Sequence, residues 1–152
     1  MKATDQPADD AAREIVQVLL GQMRHCALAV VDKNGHPSVT RIAGLWHDSR
    51  ILTLVSDLSS HTKPLRDDGR VSVLIGEPGY RGDPLNLPRM SVQGKAQEVD
   101  KTVMAKPWLA AHPKSKLYFD FADFRMFAID PSGAALNGGF GKAYAITLAD
   151  MG

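Results

Sequence analysis

The sequence predicts a mainly β protein of the α+β class, in which an antiparallel β-barrel is accompanied by an N-terminal helix and two or three inserted helices. Three observations support this prediction. Short apolar runs recur along the chain, turn-forming residues separate them, and helical spacing of apolar residues is confined to a few segments. A doubly wound parallel sheet needs a helix between nearly every pair of strands, and this pattern does not supply them.

The composition is that of one ordinary globular domain. The chain has 152 residues, of which 44% are hydrophobic and 23% charged, and this argues against disorder and a coiled coil. The formal net charge is +1 with the two signs interspersed, so we expect no nucleic acid partner, because such binding needs a basic face. We expect residues 1–7 to form a flexible arm and residues 8–150 to form a single domain.

The single cysteine, Cys26, lies in an apolar run, which predicts a buried thiol and neither a disulfide nor a cysteine-based metal site. No stretch of the sequence reaches the length needed to cross a bilayer, so no membrane is expected as a partner. The first seven residues include acidic side chains and lack the apolar centre of a signal peptide. These features favour a cytoplasmic location.

In the first half of the chain the spacing of apolar residues changes from that of a helix to that of strands. Apolar residues recur at helical spacing from Ala8 to Leu20, which predicts a helix that ends at Gly21. Asn34-Gly35 predicts the tight turn of a hairpin, because both positions tolerate positive φ. The predicted strands of this half are 25–32, 37–46, 51–55 and 71–75, with a short helix over 59–68 that ends at Gly69.

The second half begins with a loop over 76–88 that is rich in Gly and Pro. Alternating apolar residues then predict a half-buried strand over 90–99. Helical spacing returns over 101–111, where Pro107 is expected to kink or split the helix. The remaining predicted strands are 124–129, 134–136 and 143–147, joined by turns at 130–133 and 137–141.

One segment, Ser59-Ser60-His61-Thr62-Lys63, carries the residue types of a phosphate site. It follows a buried strand and opens a helix, where backbone N–H groups are free to bind an anion. The hydroxyls of the segment add donors, and Lys63 adds a charge that Arg41, on a neighbouring strand, can complement. The alternative is an ordinary helix cap with a solvated lysine, and local sequence alone favours that alternative.

The order of several motifs resembles a known family. The runs that carry the resemblance are Gly35 to Arg41, Leu52 to Ser56, His61 to Leu65, Arg70 to Ile75 and Met90 to Ala96. Together they resemble the pyridoxamine 5′-phosphate oxidase-like FMN-binding superfamily, over about residues 10–147. The most similar branch is the haem-utilisation group, which shares the His-Thr-Lys segment and a Gly-Gly-Phe-Gly-Lys-Ala element like that starting at Gly138.

The resemblance implies a split β-barrel and a homodimer with FMN in the groove between two subunits. It implies that His61, Thr62 and Lys63 hold the flavin phosphate and that Arg89 reaches the flavin across the dimer interface. The complete set of cofactor-binding residues that it implies is Thr40, Arg41, Ile42, Val55, Ser56, His61, Thr62, Lys63 and Arg89.

The implied function is that of an FMN-dependent oxidoreductase acting on a small molecule that the sequence does not identify. Pyridoxamine phosphate is not the expected substrate, because the C-terminal segment lacks the family's Arg and Trp pair and Trp46 and Trp108 both lie elsewhere. No catalytic acid–base residue is assigned. This absence suits a flavoprotein, because the isoalloxazine carries the redox chemistry and the protein supplies binding and orientation.

Two alternatives remain open at this point. The first is a haem-binding or haem-degrading protein of the same fold. The five histidines are scattered without metal-ligand spacing, so no metal site is predicted from them. The second alternative is a flavin carrier or sensor without turnover.

Overall fold

A computed structural model describes residues 5–152 and contains nine strands and four α-helices in that range. The helices are α1 (Asp10–Gln22), α2 (Thr62–Asp67), α3 (Ala105–Ala111) and α4 (Leu148–Met151). The strands are β1 (Gln6–Pro7), β2 (His25–Val31), β3 (Pro37–Ala43), β4 (Leu45–His47), β5 (Arg50–Ser56), β6 (Arg70–Ile75), β7 (Arg89–Val99), β8 (Phe124–Asn137) and β9 (Ala143–Ile146). Short 3-10 turns occupy Pro84–Asn86 and Pro113–Leu117.

The strands form a single sheet in the order β1-β9-β8-β7-β6-β2-β3, and β5 joins it through β8 and also pairs with β4. Every pairing is antiparallel except that of β1 with β9. In the described part of the chain β3 and β5 form no ladder, so the barrel is not closed between them. The predicted mainly β, split-barrel fold is therefore confirmed.

Hydrogen bonds of two aspartate side chains define the start of α1 and the β2–β3 turn. The Asp9 carboxylate caps α1 by accepting a hydrogen bond of 2.8 Å from the Ala12 amide. In the β2–β3 turn the Asp32 carboxylate accepts bonds from the amides of Asn34 and His36, and Gly35 adopts a φ of 76°. The predicted hairpin turn therefore lies where the Asn-Gly pair placed it.

Two apolar clusters lie on the two faces of the sheet. The larger fills the barrel and includes Val16 and Leu20 of α1 and Leu28 of β2. The smaller lies outside β5 and β8, where Trp108 of α3 covers Leu52 and other side chains of the same face. Since both faces of β5 are covered, five consecutive residues from Ile51 are buried.

Several predicted boundaries are wrong. Gly21 does not end α1, because it does not take the positive φ of a helix-ending glycine and the helix continues to Gln22. The strand expected over 37–46 breaks at Gly44, where a Cβ would lie only 3.2 Å from the Cys26 sulfur. The turn expected at 130–133 is instead part of β8. Ser132 forms a β-bulge, and Pro131 pairs with Gly94 of β7 inside the ladder. The helix expected from Lys101 begins at Ala105, so Pro107 falls in its first turn, where no N–H is required.

At the N-terminus, Gln6 and Pro7 pair with Tyr144 and Ala145 of β9, although both were expected in a flexible arm. The rest of that predicted arm lies mostly outside the described residues. At the other end α4 was not predicted, and its capping box is formed by Thr147 and Asp150. No helix in residues 5–152 has the length and apolar character needed to cross a membrane.

Candidate functional site

The segment predicted to bind phosphate lies where the barrel is split. Thr40 of β3 and His61, the residue before α2, approach each other with 2.9 Å between Oγ1 and Nδ1. The hydroxyl of Thr62, which is buried, donates to the carbonyl of Ser56 at the end of β5. The structure therefore brings four of the predicted residues, Thr40, Ser56, His61 and Thr62, into one connected cluster.

The backbone at the start of α2 has free hydrogen-bond donors. The Ser59 amide donates to the Ser56 carbonyl and the Thr62 amide donates to the Ser59 carbonyl, and these bonds fix the turn. Within residues 5–152 the amides of Ser60, His61 and Lys63 have no hydrogen-bond acceptor. Free amides beside serine hydroxyls are donors from which a phosphate monoester can accept hydrogen bonds.

Lys63 is part of an exposed ion pair. Its Nζ lies 2.6 Å from an Asp67 carboxylate oxygen, one helical turn further along α2. Such exposed i,i+4 pairs contribute only about 0.3–0.5 kcal/mol, so the ammonium can turn to an anion at little cost. Ser60 and Lys63 also line a cavity of about 500 Å³ beneath the β2–β3 turn, which Lys33 and the carboxylates of Asp32, Asp67 and Asp68 share.

Other predicted residues lie apart from this cluster. Strand alternation places Arg41 on the outer face of β3, opposite Ile42, and its guanidinium is 3.8 Å from Glu77. The side chains of Ile42 and Val55 belong to the barrel core. Contact of those two residues with a cofactor outside the core would therefore involve their backbone.

Arg89 lies at the far end of β7 from α2. Its guanidinium donates to the carbonyls of Leu85 and Leu87, while the segment after α2 bonds to β7 at Ala96. Seven residues of extended strand separate Arg89 from Ala96 along β7, which is roughly 23 Å. Arg89 is therefore not part of the cluster around Thr40 and His61.

A charged network that the sequence analysis missed anchors α2 to the sheet. Asp57, directly after β5, lies 2.7 Å from Arg125 of β8 and 3.2 Å from Arg66 of α2, and Glu98 of β7 faces both arginines. The hydrogen bond from Arg125 is the main cause of a lowered pKa of the Asp57 carboxyl. Arg66 follows Asp57 by nine residues, but Arg125 lies 68 residues from Asp57, so no local pattern could have shown the network.

His61 is a buried titratable group at the centre of the cluster, and burial lowers its pKa below the ordinary value of 6.5. Between its lowered pKa and 6.5 the unfolded chain binds a proton that the folded chain excludes. We therefore expect the free energy of unfolding to fall as the pH drops through about 6.5 toward the lowered pKa, at no more than about 1.4 kcal/mol per pH unit from this residue. Urea unfolding at several pH values measures the slope. The slope should become shallower in His61→Gln, and an identical slope would remove His61 as its source.

A second cavity, of about 860 Å³, was not predicted. It lies between one flank of α1 and the residues on either side of the β6–β7 loop. Its apolar walls include Ile15, Val18 and Leu19, and His25 and Glu77 lie at its edge. The sequence signal was the wide apolar stripe of α1, which continues beyond the residues that face the core.

No group of three or more His, Cys, Asp or Glu side chains in residues 5–152 is arranged to hold a bare metal ion.

The barrel order, its split between β3 and β5 and the cluster at the start of α2 are features of one class of protein. The chain belongs to the pyridoxamine 5′-phosphate oxidase family, whose sequence profile matches residues 8–137. No curated protein sequence matches the chain.

Solved structures of the same fold include proteins named for haem. A haem-binding protein from Mycobacterium smegmatis is 24% identical, with a TM-score of 0.84 over 95% of this chain and 61% of its own. Atu2129 from Agrobacterium tumefaciens, a protein of unknown function, is 28% identical, with a TM-score of 0.83 over 99% of this chain and 64% of its own. HutZ from Vibrio cholerae, a haem storage protein, is 17% identical, with a TM-score of 0.64 over 88% of this chain and 96% of its own. This chain thus spans less than two thirds of the first two.

Proposed function

We propose that this protein is an FMN-binding oxidoreductase that works as a homodimer on a small-molecule substrate. The observation that carries the proposal is the set of three free amides at Ser60, His61 and Lys63, next to two serine hydroxyls and one lysine. Membership of the pyridoxamine 5′-phosphate oxidase family supports FMN as the phosphate ester. The donor set therefore fits the phosphate of this cofactor.

Each residue of the cluster has a distinct role in this proposal. The amides and Lys63 bind the phosphate, whereas the Thr62 hydroxyl is already donated to Ser56 and so holds the segment in shape. Thr40 fixes the His61 ring through Nδ1. Bound FMN supplies the electron transfer, and the protein supplies its position and excludes water from it.

The outer face of the sheet supports the proposed homodimer. Val39, Arg41 and Leu74 are exposed there, and the strand register places the small residues Ala27 and Ala29 between them. An exposed apolar sheet face of this kind is typical of an interface. We expect a second copy that covers this face to bring its Arg89 to the cofactor, as the family resemblance implies.

The absorption spectrum of the protein tests this proposal. We expect yellow protein that releases FMN on denaturation and that sediments as a dimer. Protein that is colourless, and that does not bind added FMN, would refute the flavin assignment. If the bound flavin is reduced by NAD(P)H but never reoxidised by a small-molecule acceptor, the protein is a flavin carrier or sensor.

Haem binding is a second candidate, favoured by one observation. The apolar cavity beside α1 has a histidine at its edge, and the His25 Nδ1 lies 3.4 Å from a Glu77 carboxylate oxygen. Apolar walls with one imidazole are what a haem group needs from a protein. The Mycobacterium smegmatis relative, which is named as haem-binding, gives the comparison that supports this candidate.

A further inference from the structure

We propose that Asp57 is a positioning residue for the flavin phosphate, because its carboxylate joins the two ends of the phosphate segment, residues 59–63, and ties them to the sheet. This role rests on the proposed function, FMN binding, and adds to it a residue that acts through the segment and not by contact with the phosphate. Three features support it: the contacts at both ends of the segment, the exposure of the ion pairs and the sign of the Asp57 charge.

The chain enters the phosphate segment through a turn that is fixed to the start of β8. The Asp57 amide donates to the Asp123 carbonyl at 2.7 Å, and the Ser56 hydroxyl donates to the Asp123 carboxylate at 3.3 Å. The same hydroxyl accepts a hydrogen bond of 3.1 Å from the Leu58 amide. The position of the entry to the segment is therefore set by β8.

The chain leaves the segment along α2, and the Asp57 side chain holds this end as well. The Arg66 guanidinium, nine residues further along the chain, lies 3.2 Å from Oδ1 of Asp57. Arg125 of β8 donates to the same oxygen at 2.7 Å. Glu98 of β7 lies 3.8 Å from the Arg66 guanidinium and 3.2 Å from that of Arg125. One carboxylate thus connects the entry of the segment, its exit and the sheet.

The ion pairs of this network are suited to local order more than to global stability. The four side chains are partly exposed, from 32% for Asp57 to 45% for Arg66. Exposed pairs of this kind contribute little to the free energy of unfolding of a domain. A loop whose two ends are joined, however, has fewer conformations to lose when a ligand binds. The network therefore preorganises the free amides of the segment for a phosphate.

The sign of the Asp57 charge separates positioning from direct electrostatics. Asp57 lies two residues before the segment, and a nearby carboxylate repels a phosphate. If charge alone acted, its removal would strengthen FMN binding, as is expected for Asp67, the partner of Lys63. If Asp57 positions the segment, its removal weakens FMN binding instead. The two explanations thus predict effects of opposite sign.

Titration of the flavin-free full chain with FMN and with riboflavin, which lacks the phosphate, tests the role. We expect Asp57→Asn to raise the Kd of FMN about 10-fold, the scale of lost charge-assisted bonds, and to leave the Kd of riboflavin within about 2-fold of the wild-type value. A substitution that damages the barrel as a whole weakens both flavins alike.

Glu98→Gln tests the same network without altering the turn that carries Asp57. It removes the carboxylate that faces both arginines, and it should weaken FMN about 3-fold and leave riboflavin unchanged. The test therefore does not depend on the folding of Asp57→Asn.

Asp130→Asn is the matched control. Asp130 also pairs with an arginine, Arg50, at 2.9 Å, and this pair joins the same two strands, β5 and β8, at the other end of β5. The affinity for FMN should be unchanged in this variant.

Amide hydrogen exchange gives a measurement that does not depend on FMN. The Ser59 and Thr62 amides are hydrogen-bonded within the turn. In the flavin-free protein, followed by NMR, they should exchange several-fold faster in Asp57→Asn than in the wild type, and at the wild-type rate in Asp130→Asn.

The outcomes distinguish the role of Asp57 from the proposed function. If the wild type binds no FMN, the proposed function fails, and the role of Asp57 fails with it. If the wild type binds FMN but Asp57→Asn binds FMN equally or more tightly, Asp57 does not position the phosphate, although the proposed function stands. Equal weakening of both flavins, or unchanged exchange of the two amides, would also overturn the positioning role.

Discussion

We expect Trp108→Ala to lower the free energy of unfolding by about 3–5 kcal/mol, the usual cost of emptying a buried indole site. Trp108 is 1% exposed and forms the centre of the smaller apolar cluster, where it contacts the outer face of β5 and β8. Its ring stacks on His112 at a centroid distance of 4.3 Å, and its Nε1 donates to the Ser115 hydroxyl at 3.1 Å. Denaturant unfolding followed by circular dichroism measures the loss.

The reason for so large an effect is the position of the cluster. It covers the outer side of Leu52 and Leu54 on β5. The same strand ends at Ser56, whose carbonyl accepts from Thr62 at the phosphate segment. Loss of the indole therefore weakens the strand on which the candidate site is built.

Trp108→Phe is the matched control for this substitution. Phenylalanine keeps an aromatic ring in the cluster and loses the bond to Ser115, so we expect a smaller loss of about 1–2 kcal/mol. A loss below about 1 kcal/mol for the alanine variant would mean that α3 does not pack tightly on β5 and β8.

The sequence predicted the barrel because its strands are locally encoded. The hairpin at Asn34-Gly35 and the end of α2 at Gly69 each depend on a residue that adopts positive φ, and both lie where expected. The bulge at Ser132 was missed because Asp-Pro-Ser-Gly has the composition of a turn. Only the ladder between β7 and β8 makes it a strand.

The sequence predicted the position of the candidate site along the chain but not the contacts that its residues make with other elements. The place of Ser59 to Lys63 after β5 could be inferred, but the bond between Thr40 and His61 joins residues 21 positions apart. The orientation of Arg41 away from Ile42 follows from alternation once β3 is known. The pairing of His25 with Glu77 could not be inferred, because it depends on how the β6–β7 loop folds back onto β2.

We expect Lys63→Ala to weaken FMN binding by about 1–3 kcal/mol, or roughly 5- to 150-fold in Kd, the scale of a lost charge-assisted hydrogen bond. The ammonium is exposed, and its pair with Asp67 contributes little to folding, so the variant should unfold as the wild type does. Titration of the apoprotein with FMN, followed by the quenching of flavin fluorescence, measures the change.

Two further variants test the phosphate contact of Lys63, Asp67→Asn from the side of its partner and Lys106→Ala as the control for a general effect of charge. Asp67→Asn frees the Lys63 ammonium from its partner 2.6 Å away and removes a negative charge from the cavity that Ser60 lines. If Lys63 binds the phosphate, Asp67→Asn should strengthen FMN binding while Lys63→Ala weakens it. Lys106→Ala, an exposed lysine on α3, should leave it unchanged. Equal affinities in all three variants would remove Lys63 from the site, and the free amides ahead of α2 would then be the whole of the phosphate cradle.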